Sequence, residues 1–586
     1  MKTVFRSALI AVAMGTVPFL AAQKTATAHP KHAVARRKTT TLSSLAEQMQ
    51  QMHDDFQNQI NLLKQQLADR DAQLASMQQA NQKQTAVTAA QTQSVSAATE
   101  QNTAAVNHLQ TRVEQIHTTD AVVTAKVEEV QQSQETLRKA VDEPSSIHYK
   151  GITLVPGGFL AAESIWRQRA MNADIYTNYN ATPFGAAGEA HTSEWVPSAR
   201  QSRLSLLASG KVPFGTISGY FEGDFLSAGT TSNNLQTNSY TLRIRQAWGQ
   251  AQAGRTTFTG GEMWTLLSED KKAASPGQEA LPLFFDGNLH VGYTYVRQAG
   301  FRVQEAFTPS FTLAASVENS QYQFAASNAG SNFFFGSVGA AGGLNNSAAN
   351  YTNQVAPDVI VKASFDPKYG HYEIGGVARF FRDRFYPTTG SSVNAQNDTK
   401  LGGGVVASAR FPVGSKTTVG LHVVAGDGTG RYGASILPDV TVHPNGTLEP
   451  LRNAQGLFSL EVHPTPRLDL FAYAGTEYVQ RTTYLNSAGV LVGYAPVTGS
   501  NTGCGVEAPP TGGTGFNPGT GTCLGATRNL MQGSLGYQYR IYSGPKGKLQ
   551  YGLAYSYLER NAWAGVGGSP KATNNFVYTS FRYYIP

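Results

Sequence analysis

The chain has 586 residues with 46 Lys and Arg against 39 Asp and Glu, so its formal charge of +7 is modest for the length and does not call for a nucleic acid partner. Its mean hydropathy is −0.28, and no run after the N-terminus approaches the ~20 apolar residues of a membrane helix, which leaves a barrel as the one way to reside in a bilayer. A length this far beyond one ordinary core also implies more than one structural unit.

Lys2 and Arg6 precede an apolar run from Ala8 to Ala22, and Ala26-Thr27-Ala28 offers a small-x-small cleavage site. Residues 1–28 therefore read as a secretory signal peptide. Residues 29–41, with Lys31, Arg36, Arg37 and Lys38, read as a basic linker, solvated or in contact with the anions of a cell wall or lipid.

Over residues 42–143 the apolar period becomes helical and predicts a coiled coil. Leu45, Met49, Met52, Phe56, Ile60, Leu63, Leu67, Leu74 and Met77 advance by threes and fours. The second half is more regular: Val106, Leu109, Val113, Ile116, Asp120, Val123, Val127, Val130, Gln134 and Leu137 keep a strict three-four alternation. With Val106 at position a, β-branched residues occupy d positions, which favours three strands over a parallel dimer. Asp120 and Gln134 then fall at a positions, where polar residues fix register at a cost in stability.

Pro144 ends the helix, and from residue 147 to 586 the chain keeps another rhythm: segments of about ten alternating residues, joined in turn by a tight turn and a long Gly/Ser/Asn-rich loop. This predicts an all-β transmembrane barrel of ~16 antiparallel strands. The segments fall near 151–166, 198–209, 215–226, 239–250, 255–264, 297–307, 311–319, 357–365, 372–382, 401–411, 417–425, 457–463, 468–479, 529–542, 549–559 and 574–585. Residues 265–296 become a third long loop, long enough to fold inward. With the coil on the periplasmic side, the short turns all fall in the periplasm and the long loops outside, as an outer-membrane barrel requires.

Inward-facing charge is the chemistry visible in this segment. Leu204 and Leu206 take the lipid face, which turns Arg203 inward, although Leu207 breaks the alternation. Ile217, Phe221 and Phe225 do the same for Glu222 and Asp224, and Tyr240, Leu242, Ile244 and Trp248 for Arg243 and Arg245. Arg302, Lys362, Arg379, Arg410 and Arg540 have inward parity too, against Glu318, Glu373 and Asp469. Opposed charged rows would order water and select solutes in a narrow pore. The same residues serve equally well as ion pairs that support the wall.

Other patterns point away from chemistry. The 12 His are scattered without metal-ligand spacing, and no nucleophile is paired with a base, so neither a metal, a cofactor nor an enzyme is implied. Gly426-Asp427-Gly428-Thr429-Gly430 precedes no helix and reads as a flexible loop. Cys504 and Cys523 share one Gly/Pro/Thr-rich loop of an exported chain, where a disulfide is the natural reading over thiols or a metal site.

The runs Ala199-Arg200-Gln201-Ser202-Arg203-Leu204, Glu222-Gly223-Asp224-Phe225, Leu242-Arg243-Ile244-Arg245-Gln246-Ala247 and Arg297-Gln298 resemble the DcaP-like outer-membrane porins, relatives of the phosphate-selective porins. The coiled coil ahead of the barrel is similar as well. The resemblance implies a homotrimer of 16-stranded barrels in outer-membrane lipid, passing small solutes with a preference for anionic ones such as dicarboxylates. The expected function is a trimeric porin for passive diffusion. The alternative is a structural tether, with the coil linking outer membrane to cell wall and the barrel as an anchor.

Overall fold

The computed structural model describes residues 146–586 apart from 228–240, 339–349, 389 and 511–522, together with helical residues between 60 and 134, the longest runs being 67–77 and 123–131. The expected signal peptide, the basic linker and the coil positions Val106, Leu109, Val113, Ile116 and Leu137 lie outside the described residues. Asp120 is helical and exposed. In the second run Val123, Val127 and Val130 are less exposed than the residues between them, and Gln134 shares that half-buried state. No helix among the described residues is long and apolar enough to cross a membrane.

The remainder is a closed antiparallel barrel of 16 strands. They are β1 (Ile152–Arg167), β2 (Arg203–Val212), β3 (Gly215–Asp224), β4 (Arg243–Ala253), β5 (Thr256–Trp264), β6 (Arg297–Thr308), β7 (Phe311–Glu318) and β8 (Asp358–Phe365). They continue as β9 (His371–Phe385), β10 (Gln396–Val413), β11 (Thr417–Asp427), β12 (Arg452–Thr465), β13 (Leu468–Val479), β14 (Thr527–Gly544), β15 (Gly547–Ala562) and β16 (Lys571–Tyr584). Each pairs with the next, and the long β1 closes the cylinder. Its first half, Ile152 to Phe159, pairs with β2 and its second half, Phe159 to Arg167, with β16. Closure removes every free edge, so no backbone N–H or C=O of the wall is left to hydrocarbon, where each would cost several kcal/mol.

The alternation along β8 shows why this sequence makes a barrel and not a soluble sheet. Val359, Val361 and Phe365 are 38%, 46% and 41% exposed, whereas Asp358 and Lys362 are 0% exposed. The apolar face looks outward and the charged face inward, the reverse of a water-soluble β protein and the arrangement a lipid surround requires. The turns follow the same logic. Tight turns such as Gly254-Arg255 use a left-handed glycine (Gly254 φ +62°), which reverses the chain at no steric cost.

The expected segments match the strands to within a few residues, with three instructive differences. β2 starts at Arg203 and not at 198, because the Ser202 amide bonds back to the Ala199 carbonyl while Glu194–Ser198 pairs with β1. β10 reaches back to Gln396, since the polar run up to Lys400 still forms a ladder with Phe381 to Phe385. In β4 the register slips at Arg245: Glu222 pairs with Gln246 and Gly223 with Ile244. That bulge reverses the parity beyond it. Trp248, expected on the lipid face, pairs with Tyr220 on the inner face instead, their rings 5.3 Å apart.

Candidate functional site: the inner wall and the inward loop

The third loop, between Trp264 and Arg297, lies inside the barrel. Phe284 and Phe285 pack with Phe471 of β13, and Phe284 also packs edge-on against Tyr578 of β16. Backbone groups of the loop are caught by wall side chains: the Leu283 amide by Tyr473 Oη (2.8 Å), the Val291 amide by Gln532 Oε1 (2.8 Å) and the Gly292 amide by Glu477 Oε1 (2.8 Å). Gln201 donates to the Phe285 carbonyl at 2.6 Å and Gln538 to the Leu283 carbonyl at 2.7 Å. Irregular backbone is admissible at membrane depth when it is satisfied in this way by the protein around it.

The loop divides the inward charges into two groups. On the side formed by β16 and β1 to β6, Arg203, Glu222, Asp224, Arg243 and Arg245 come together as the alternation predicts. Arg243 Nη2 lies 2.8 Å from Asp224 Oδ2, Arg245 bridges Glu222 at 2.7 Å and Asp224 at 2.9 Å, and Arg203 reaches Glu222 at 3.5 Å. The opposed rows are thus direct ion pairs between neighbouring strands. Arg245 sits behind them, nearly enclosed, while the side chains of Arg203 and Arg243 keep 20% and 27% of their surface.

Two further arginines join this group. Arg582 of β16 pairs with Glu163 at 2.7 Å, and Arg203 and Arg582 both lie over the Phe159 ring, at 5.1 and 4.5 Å. Arg297 lies over the Trp264 ring at 4.7 Å and the Tyr295 ring at 5.2 Å. Its Nη1 is buried without a hydrogen-bond partner, as is Nε of Arg203. Burial by itself would raise the pKa of the Tyr295 phenol. The guanidinium groups of Arg297, Arg245 and Arg243 outweigh it and hold that pKa below its ordinary value, a sign of how positive this corner is. With Glu262 and Arg431, which lie beside Arg297, six guanidinium groups (Arg203, Arg243, Arg245, Arg297, Arg431, Arg582) face four carboxylates (Glu163, Glu222, Asp224, Glu262), a local excess of two positive charges.

The other inward cations are mostly sealed, Arg540 with 23% of its side-chain surface exposed being the exception. Arg302 and Arg379 have the predicted inward parity but do not meet channel water, being 3% and 0% exposed. Arg302 donates to the backbone oxygens of Trp264 (2.6 Å) and Ala274 (3.0 Å) at the two ends of the third loop's first stretch. Arg379 pairs with Asp358 at 3.1 Å and Asp439 at 2.8 Å and donates to the carbonyls of Gln321 and Gly428, fastening two other long loops to β9. Lys362 holds Asp270 of the third loop at 2.6 Å and Glu373 of the wall at 2.7 Å. Arg410 pairs with Glu461, and Arg540 with Asp469.

Parity alone could not find Arg297, because Phe301 and Val303 on the same face of β6 point outward. It lies at the strand's first residue, where the chain leaves the inward loop. Cys504 and Cys523 are joined as a disulfide with Cα atoms 4.6 Å apart, packed against Phe184 of the first long loop. Gly426 and Asp427 end β11, Gly428 gives its carbonyl to Arg379, and Gly430 opens a single 3-10 turn.

The fold defined by this wall and inward loop is that of the outer-membrane porins. The DcaP outer-membrane channel of Acinetobacter baumannii superposes with a TM-score of 0.52 at 14% identity, over 75% of this chain and 99% of that one. The resemblance to DcaP-like porins read from the sequence therefore holds at the level of fold. An anion-selective porin from Comamonas acidovorans (TM-score 0.39, 9% identity, 74% of this chain and 100% of that) and Salmonella typhi OmpF (0.41, 8%, 75% and 100%) are more distant likenesses. No protein-family model matches the chain, and no curated protein matches it by sequence.

Proposed function

We propose that this protein is a porin of the bacterial outer membrane, passing small hydrophilic solutes by passive diffusion with a preference for anions. The observation that carries the reading is the partly open arginine group of β2 to β6. A net positive charge held at a wall of low polarity raises the local concentration of anions, and a narrow lumen screens it less than an open surface does. The third loop, packed across the lumen, supplies the narrowing. A barrel serving only as a tether has no need of an inner wall on which cations are left with unpaired donors.

In this reading the protein acts as a homotrimer. The coil, with Asp120, Val123, Val127, Val130 and Gln134 in its seam, stands in the periplasm, and the basic linker faces the cell wall. Support for three strands comes from the β-branched seam positions. Light scattering on detergent-purified protein tests it: a trimer is expected, and a monomer with residues 29–144 intact overturns it. Single-channel recording in asymmetric salt tests the porin itself. A reversal potential on the anion side is expected, and the absence of ion-conducting events from a folded barrel overturns the reading.

A further inference from the structure

At the long-loop end of the barrel, Asp383 of β9 stands directly opposite Asp398 of β10 in the register. Both have inward parity, since Asp383 follows the buried Arg379 and Phe381 by twos, and Phe381 pairs with Lys400. Like charges directly opposed on adjacent strands destabilise a sheet, and burial increases the cost. Yet Asp383 is 2% exposed, and neither of its carboxylate oxygens has a hydrogen-bond partner. Oδ2 of Asp398 is buried without one as well.

The surroundings do not resolve the conflict. Lys400 Nζ is 3.4 Å from Asp398 Oδ2, but that lysine is 39% exposed and makes no ion pair with Asp383. Tyr322 lies on the other side and spends its hydroxyl on the Arg382 carbonyl at 2.8 Å. The Leu448 amide, from the hairpin formed by Val440–Val442 and Leu448–Pro450, faces Asp383 outside hydrogen-bond geometry. The Arg379 guanidinium, four residues back on the same face, is already taken by Asp358 and Asp439. What remains is a pair of carboxylates with unused oxygens converging beneath a hairpin.

We propose that Asp383 and Asp398 bind a divalent cation of the calcium class, which staples β9 to β10 under that hairpin. The donor set is oxygen alone, with no thiolate and no free imidazole, which suits a hard cation and excludes the zinc class. Two charges on the ion neutralise the opposed pair, where Lys400 offsets only one of them. Two carboxylates leave room for the backbone oxygens and waters that complete the six to eight ligands calcium takes. Few charged ligands place the affinity in the extracellular range, a Kd on the order of 10⁻⁴ to 10⁻³ M.

The test uses the full-length protein in detergent, stripped with EDTA and dialysed against calcium. The wild-type chain should bind one more Ca²⁺ than Asp383→Asn or Asp398→Asn, and its unfolding midpoint should rise by several degrees in 10 mM Ca²⁺ while those of the variants do not. Asp427→Asn, at an exposed carboxylate paired with Arg452, should behave as wild type. Should Asp383→Asn fail to fold, Asp398→Asn decides alone. Equal calcium binding by wild type and Asp398→Asn overturns the proposal. So does a wild-type protein insensitive to calcium but stabilised by mild acid, which would mean that the pair shares a proton instead.

Discussion

Lys362 and Arg243 carry the same charge and the same inward parity, one on each side of the barrel, and the structure uses them in opposite ways. Lys362 is fully enclosed between Asp270 and Glu373 and anchors the third loop. Arg243 pairs with Asp224 yet keeps 27% of its side-chain surface, in a group with more cations than anions. Alternation along a strand decides which face a residue takes. Whether that face meets water or another loop is decided by segments far along the chain, Asp270 standing 92 residues from Lys362 and Asp439 60 from Arg379. An inward arginine in a barrel is therefore a site candidate only after the loops have been placed.

The contrast is most easily broken at the sealed wall. Lys362→Ala leaves Asp270 and Glu373 buried without their cation and should destabilise the barrel by about 3–5 kcal/mol, read from denaturant unfolding in detergent, with ion selectivity unchanged. A loss below 1 kcal/mol would show that this wall is hydrated after all. Reducing the bond between Cys504 and Cys523, 19 residues apart, should cost at most about 3 kcal/mol in the chain-entropy model and leave conductance as it was. Mass spectrometry of unreduced peptides checks the bond itself, and free thiols in the exported protein would refute it.

Glu269 of the third loop offers a pH test of the same wall. Burial pushes its pKa up to about 7, with Arg410 opposing and Glu373 and Glu461 reinforcing the rise. A carboxyl raised in the folded state contributes stability that is fully present below its ordinary 4.5 and is lost as pH climbs through about 7. The loop should hold more firmly at pH 5 than at pH 8, by up to roughly 3 kcal/mol from a shift of this size. Glu269→Gln should flatten that dependence. A wild-type midpoint that rises with pH over this window would contradict the account.

Much of this is legible in the sequence. The period of two, with Val359, Val361 and Phe365 on one face and Asp358 and Lys362 on the other, located the strands, and the alternation of tight turns with long loops gave their number. The inward set of Arg203, Glu222, Asp224, Arg243 and Arg245 was legible for the same reason. Trp248 was misplaced because a bulge adds one residue to one strand and leaves no compositional mark. Arg297 was missed because it ends a loop and obeys no alternation. The sealing of Arg302 and Arg379 was invisible because their partners, the carbonyls of Ala274, Gln321 and Gly428, are backbone atoms that any sequence possesses.

The open wall supports the smallest change in stability and the sharpest test. Arg245 is unsuited to charge reversal, because a carboxylate there would stand against both Glu222 and Asp224. Arg203 and Arg297 each have a buried nitrogen without a partner, so Arg203→Gln with Arg297→Gln removes the excess charge and leaves the Asp224 pairs in place. The reversal potential of single channels in a tenfold salt gradient is the decisive measurement. Wild type should reverse on the anion side, and the double variant should move toward cations with its conductance within about twofold. A folded double variant whose reversal potential equals that of wild type would contradict the claim that the arginine wall sets what passes.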